Sequence, residues 1–253
     1  GSGSDIEILK ELHFPHSVGL LYSAFTYFLG FTVNSGEYKL MGLAPYGNPD
    51  AKETEEYERL IKKEIVDIKS DGSVWLNQKY FRYATGLRMI NEKRWKALFG
   101  FGTRKPEDEL VQHHCNLALA IQRVTEEIVI KMAEHAAEIT GCENLCLAGG
   151  VALNCVANGK LLKREVFKNI YIQPAAGDAG GALGAALAAD FIYFKTPRVA
   201  TGKSDLMRGS YLGPDYSEKE IASMIKSVKG VAVKYQLRDE LNDFVAKRLA
   251  AGD

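Results

Sequence analysis

The segment that most restricts the fold runs from Asn144 to Ala189. It reads "NLCLAGGVALNCVANGKLL" and, after a short charged stretch, "NIYIQPAAGDAGGALGAALAA". A short apolar run stops at Gly149-Gly150, and a helical pattern follows from Val151 to about Glu165. A second apolar run spans Asn169 to Pro174. "AAGD" then leads into a helix of small residues, Ala179 to Phe194. Two strands joined by a helical crossover must run parallel. Parallel pairs need helices on their faces, which places the chain in the α/β class.

The remaining elements fit around this unit. "SVGLLYSAFTYFLGF" (Ser17 to Phe31) predicts a buried helix with Ser17 as N-cap and Gly30 as stop. "NSGEYKLMGLAPYGNPD" holds a short segment between Gly36 and Gly42, closed by a turn. Glu53 to Val66 predicts a surface helix, and "SDGSVWLN" a turn into a strand. A long helix is expected from about Glu107 to Thr140. Leu117, Ile121, Val124, Ile128, Met132, Ala136 and Ile139 recur there at three- or four-residue steps. Glu107, Asp108 and Glu109 suit its N-terminus, and Gly141 its end. "TPRVATGKSD" reads as a linker. Ser217 to Val228 predicts an amphipathic helix, "VAVKY" a strand, and Asp239 to Ala250 a helix.

Composition excludes some function classes. Lys+Arg and Asp+Glu both total 32, so the net charge is zero and gives no reason to expect nucleic acid as a partner. No apolar run reaches the roughly 18 residues of a membrane span. The opening "GSGS" (1–4) is a linker scar without a role in the fold. Cys115, Cys142, Cys146 and Cys155 lie among apolar neighbours, which predicts reduced core thiols in a cytoplasmic protein. Cys142 and Cys146 make only a weak zinc signal, because no histidine is near them in sequence. His113, His114 and His135 fall on the long helix as solvated or capping side chains; adjacent helical residues point too far apart to share one metal.

Three places carry chemistry. Gly149-Gly150 sits between a strand end and a helix start, where open parallel sheets bind ligands and free N–H groups attract anions. The alternative is a plain tight turn. Asn154, one turn on, either bonds a ligand or sits exposed. Gly180, Gly181 and Gly184 lie inside an apparent helix and cost about 3 kcal/mol relative to alanine. Close approach of a ligand or of another helix would offset that. Asp178, at the entrance of that helix, is an N-cap or one ligand of a metal beside phosphates held at Gly149-Gly150. The third cluster is His16, Glu37 and Lys39. Lys39 suits a phosphate or a polarised carbonyl and Glu37 suits ribose hydroxyls; ordinary surface charge is the alternative.

"FPHSVGLLYSAFTYFLGF", "GEYKLMGLAPYG", "LCLAGGVALNCVANGKLL" and "IQPAAGDAGGALGAAL", in this order, resemble the O-carbamoyltransferases of the nodulation and tobramycin type. The resemblance runs from about Phe14 to Leu249. It implies an actin/hexokinase-like (ASKHA) lobe: a mixed sheet flanked by helices, with a small C-terminal α/β extension. The domain concerned is similar to the tRNA threonylcarbamoyl transferase. A second domain, similar to threonylcarbamoyl-adenylate synthase, makes carbamoyl-adenylate from carbamoyl phosphate and ATP. The first domain passes the carbamoyl group to a small-molecule hydroxyl acceptor.

Carried over, the family's Gly-Gly-Val-Ala-Leu-Asn falls on Gly149 to Asn154 as a nucleotide loop. Its Gly-Asp-Ala-Gly falls on Gly177 to Gly180, with Asp178 as ligand of an iron-type divalent metal. Gly36 to Lys39 falls near the adenylate, and we take His16 and Lys39 as catalytic candidates. The family's His-x-x-x-His pair and its "GPRALGNRS"-type motif are missing from this sequence. The expectation is therefore an internal piece of a bacterial enzyme: 5–203 mostly a second lobe, 204–253 a connecting segment, inactive alone, with a homodimer allowed. A sugar or acetate kinase of the same fold, or a non-catalytic nucleotide-binding scaffold, stand as competitors.

Overall fold

The structure is a computed structural model and describes residues 1, 3–199, 207–234 and 237–252. The chain divides into two compact units, Gly1–Val199 and Ala200–Asp253. Among the described residues no helix is long and apolar enough to cross a membrane.

In the first unit, helix α1 (Val18–Phe28) begins where the Ser17 hydroxyl accepts the Leu20 N–H at 3.2 Å. That bond satisfies one of the orphan donors of a helix start. Its apolar faces bury Leu21, Phe25 and Phe28 completely. Helix α2 (Glu37–Leu43) follows, then α3 (Lys52–Leu60), which runs on as a wider turn through Ile61–Ile65. The expected surface helix over 53–66 is thus partly a core element, with Ile61 and Ile65 fully buried. Val66 has already left it for strand β1 (Val66–Ile68), which pairs antiparallel with β2 (Val74–Leu76).

Helix α4 (Glu92–Phe99), which the sequence reading passed over, supplies Trp95. Trp95 is fully buried among Phe25, Phe28 and Phe99 with ring centroids 4.7–5.5 Å apart, and its indole N–H reaches the Tyr80 carbonyl at 2.8 Å. A buried Trp needs that partner for its one polar atom. The long helix α5 (Gln112–Thr140) completes this core with Leu117, Ile121, Val124 and Ile128.

Farther along α5, Ala133 joins a smaller cluster with Leu161 and Phe167. Strands β3 (Asn144–Leu147) and β4 (Asn169–Ile172) lay Leu145, Leu147 and Ile170 on it. They pair in parallel, Asn144 opposite Asn169 and Leu147 opposite Ile172, as the crossover demands. The crossover is shorter than expected: a tight helical turn, Gly150–Leu153, then helix α6 (Cys155–Leu162). Helix α7 (Ala179–Ala188) follows β4 and buries none of its side chains.

The molecule is mixed α/β. Among the described residues it carries two separate two-stranded sheets rather than one mixed sheet. The second unit holds α8 (Glu218–Ser227), capped by Ser217, and α9 (Arg238–Ala251). Val231–Lys234 form no strand, and Tyr235 lies outside the described residues. The cysteines are free, as expected, but only Cys115 is partly covered; Cys142, Cys146 and Cys155 are exposed. The apolar neighbours that suggested a core position surround them in sequence, not in space.

Candidate functional site

The two glycine-rich loops meet. Each follows the C-terminal end of one parallel strand, and the Gly149 N–H donates to the Ala176 carbonyl at 2.7 Å. This bond sets the Gly149-Gly150 turn beside the Gly177-Asp178 turn. It also corrects the expectation of free N–H groups at both glycines, since Gly149 has spent its donor on the neighbouring loop. The open donors are those of Gly150 and Val151, which start the short helical turn and find no main-chain acceptor among the described residues.

Gly149 has φ +94°, a backbone that only glycine takes without strain. Gly150 is different. Its φ is ordinary, and a Cβ there meets nothing within 4 Å. Nothing among the described residues requires glycine at 150, so the open space above it is available to a ligand. Gly180 shows the opposite case: a Cβ would lie 2.0 Å from the Ala175 carbonyl oxygen. Its close neighbour is its own loop, not a second helix.

Asp178 opens α7 but makes no capping bond, and it is exposed. Its carboxylate is free for one coordination bond. Among the described residues, however, no three His, Cys, Asp or Glu side chains come together to hold a metal. Asp178 fits a metal as one ligand and no more.

Asn154 is buried rather than exposed. It is 8% exposed and caps α6, its Oδ1 accepting the Ala157 N–H at 3.0 Å. The rest of its amide faces Gln122 of α5. Gln122 Nε2 donates to Asn154 Oδ1 at 3.1 Å, and Asn154 Nδ2 donates back to Gln122 Oε1 at 3.0 Å. Gln122 also accepts from the Tyr22 hydroxyl at 2.9 Å and donates to Glu126 at 3.0 Å. Glu126, 4% exposed, is paired with Lys160 of α6. Burial and the nearby carboxylates of Glu126 and Glu37 push the Tyr22 phenol far up, so it stays a neutral donor. The sequence reading missed Gln122 and Glu126. Their signal was two polar residues four apart on α5, interleaved with the apolar stripe.

The third cluster divides. Glu37 ties α2 to α1: it accepts from Ser23 Oγ at 2.7 Å and from the Asn34 and Gly36 N–H groups at 3.0 and 3.2 Å. Burial raises its carboxyl pKa, but these three donors outweigh that and hold it below the ordinary value. Helix α2 reaches the loop region through Met41, whose sulfur lies 3.9 Å from Cys155 Sγ at the start of α6. Lys39 is exposed on the same helix. His16 points elsewhere. Its Nδ1 accepts the Leu76 N–H at 3.0 Å, and its ring stacks on Trp75 at 3.7 Å. Among the described residues no hydrogen bond joins it to Glu37 or Lys39. A surface cleft of about 390 Å³ beside β1 and β2 includes none of these candidate residues.

The chain is 52% identical to an uncharacterized protein of Synechocystis sp. over its whole length, covering 40% of that protein. It is 34% identical, again over its whole length, to nodulation protein NolNO of Sinorhizobium fredii, of which it covers 34%. It is 32% identical to nodulation protein NolO of Bradyrhizobium diazoefficiens, of which it covers 42%. The chain therefore spans well under half the length of these relatives. Residues 1–187, which contain both loops and the whole Gln122–Asn154 network, match the family described as Carbamoyltransferase N-terminus, and the chain belongs to that family.

Proposed function

We propose that this chain is the loop-bearing part of an enzyme that moves a carbamoyl group from carbamoyl phosphate to a small-molecule hydroxyl acceptor, by way of carbamoyl-adenylate made with ATP. One observation carries the reading: the Gly149–Ala176 hydrogen bond, which gathers two strand-end loops at one place. Ligands of parallel sheets bind at such strand ends. Family membership supports the carbamoyl group as the cargo.

In the transfer step the acceptor oxygen attacks the carbamoyl carbon. A new C–O bond forms, the bond to the adenylate phosphate oxygen breaks, and AMP departs with that electron pair. The Gly150 and Val151 N–H groups donate to the phosphate, where charge collects. Lys39, exposed on α2, adds a positive charge to the same group. Glu37, held ionised, keeps the α1–α2 corner in place and offers its remaining lone pair to ribose. His16, with Nδ1 accepting the Leu76 N–H, carries its proton on Nε2 and serves there as a donor to the carbamoyl oxygen, while the acceptor's proton passes to water. Asp178 would be one ligand of a divalent metal, Fe(II) in this reading, with the other ligands from outside the described residues, and the metal would supply charge neutralisation at phosphate or carbonyl.

The test uses the longest natural protein that contains this chain, supplied with carbamoyl phosphate and ATP. AMP and a carbamoylated product are expected. Gly150→Ala should keep the wild-type melting temperature and lose about tenfold or more of the turnover, because a methyl group enters the phosphate space. The chain alone should give no turnover. ADP in place of AMP would point to the kinase reading. Loss of neither product nor rate in Gly150→Ala would sink the loop assignment.

A further inference from the structure

Gln122 uses every hydrogen-bonding position of its amide. Oε1 takes Tyr22 and Asn154; Nε2 gives to Asn154 and Glu126. It is 2% exposed and lies on α5, 32 residues from Asn154. Asn154 in turn closes the turn that begins at Gly149-Gly150 and caps the helix behind it. The reciprocal amide pair is thus the tie between the rigid core helix and the turn that carries the open Gly150 and Val151 donors. A packing role alone does not call for an amide here, since a side chain of this shape without polar atoms would fill the same space. What the amide adds is orientation: two opposed hydrogen bonds fix the Asn154 plane, which fixes where the turn ends and α6 begins.

We propose that Gln122 is a positioning residue for the ligand loop, setting the Gly149–Asn154 turn in its anion-receiving geometry through the Asn154 amide. The proposal rests on the reading of that turn as the nucleotide loop. It also gives Tyr22 a role as the donor that fixes the Gln122 amide's orientation. The ionisable groups around the amide are Tyr22 from α1, Glu126 on α5 itself, and Lys160 and Cys155 from α6, with Glu37 of α2 acting on Tyr22 from farther away.

The informative variant is Gln122→Glu. At high pH it places a second carboxylate beside Glu126 and removes the donor to Asn154. When protonated, the same carboxyl regains one donor, enough for the bond to Asn154 though not for that to Glu126 as well. Burial and the Glu126 charge raise its pKa, so the two forms are accessible in one protein. Two readouts are taken on the longest natural protein that contains this chain: ATP affinity, and amide-exchange protection of Gly149 and Ala157, whose N–H groups bond Ala176 and Asn154.

At about pH 8 the variant should lose about tenfold in ATP affinity and in protection at these two amides. At about pH 5.5 both should return toward wild type, which itself changes little. Gln122→Met, of similar shape and without the amide, should show the loss at both pH values and keep α5 protected. Wild-type affinity and protection in Gln122→Glu at the higher pH would overturn the proposal. If that wild-type protein gives no ATP signal, the nucleotide reading of the loop fails. The positioning claim is then decided by protection alone: unchanged protection at Gly149 and Ala157 rejects it, and loss with recovery at low pH upholds it for the turn.

Discussion

Three helical glycines look alike in "AGGALGAALA", yet the space around them is not alike. At Gly180 a methyl group would meet the Ala175 carbonyl oxygen at 2.0 Å, whereas at Gly181 it would meet nothing within 4 Å. Gly180→Ala should therefore destabilise α7 by about 1–3 kcal/mol, as a clash with main chain cannot be relieved by a rotamer change. Gly181→Ala should stabilise it by up to about 1 kcal/mol. The opening free energy of α7 from amide exchange checks both, and equal effects of opposite order would refute the assignment. The sequence shows that three helical glycines are costly. Which one is required depends on the path of the preceding loop. Asn154 teaches the same lesson: its position after the glycine pair was legible, but its partner on a distant helix was not.

At the scale of elements, α5 is the clearest success of periodicity and also shows its limit. The apolar stripe identified the helix and its C-terminal end, but the helix starts at Gln112, not near Glu107. The acidic run is held in a loop instead: the buried Arg104 guanidinium donates to the Pro106 and Asp108 carbonyls, and the Lys105 N–H bonds the Asp108 carboxylate. The helix is then capped by His114, whose Nδ1 accepts the Val111 N–H at 3.1 Å. Burial, then the nearby His113 and Arg104, pull the His114 pKa down to about 4.

The sign follows from those values. Above the unfolded histidine value of about 6.5, neither state is protonated and the linkage is silent. As pH falls from there to about 4, the unfolded chain binds a proton that the folded chain refuses, so stability is lost. Protonation also turns Nδ1 into a donor and removes the cap. His114→Gln keeps an acceptor at the third helical position and removes the titration. Its melting temperature should fall less than that of wild type between about pH 6.5 and pH 4.5. An identical decline in both proteins would show that His114 does not contribute.

Over the whole molecule, burial is distributed unevenly. The first unit holds a contiguous aromatic and aliphatic core, with Phe25, Phe28, Trp95, Leu117 and Ile121 fully buried. Among the described residues of the second unit, α8 and α9 bury no side chain, although Ile221, Met224, Leu241 and Val245 would suit a core. Exposed helices of 10 and 14 residues are marginal in water by themselves. Amides of α8 and α9 should exchange at least about 100-fold faster than those of α5 between Leu117 and Ile128. Equal protection would show that these helices find a partner surface in solution. The parallel pairing of β3 and β4 was fully legible, because a strand, a crossover helix and a second strand leave only one sense of pairing. The separation of the strands into two small sheets was not, because periodicity describes a strand's faces and says nothing about which edges meet.

The sequence by itself determined the local order: where most helices and strands lie, the parallel sense of the strand pair, and the two glycine turns at its strand ends. These follow from side-chain periodicity and backbone freedom, which act over a few residues. The tertiary structure decided which polar atoms are occupied and which remain open. Gly149 gives its N–H to Ala176, Asn154 gives its amide to Gln122, and His16 gives its ring nitrogen to Leu76. Gly150, beside them, keeps open space above it. A hydrogen bond between residues far apart in the chain leaves no periodic trace, because its geometry is set by how whole helices and loops pack.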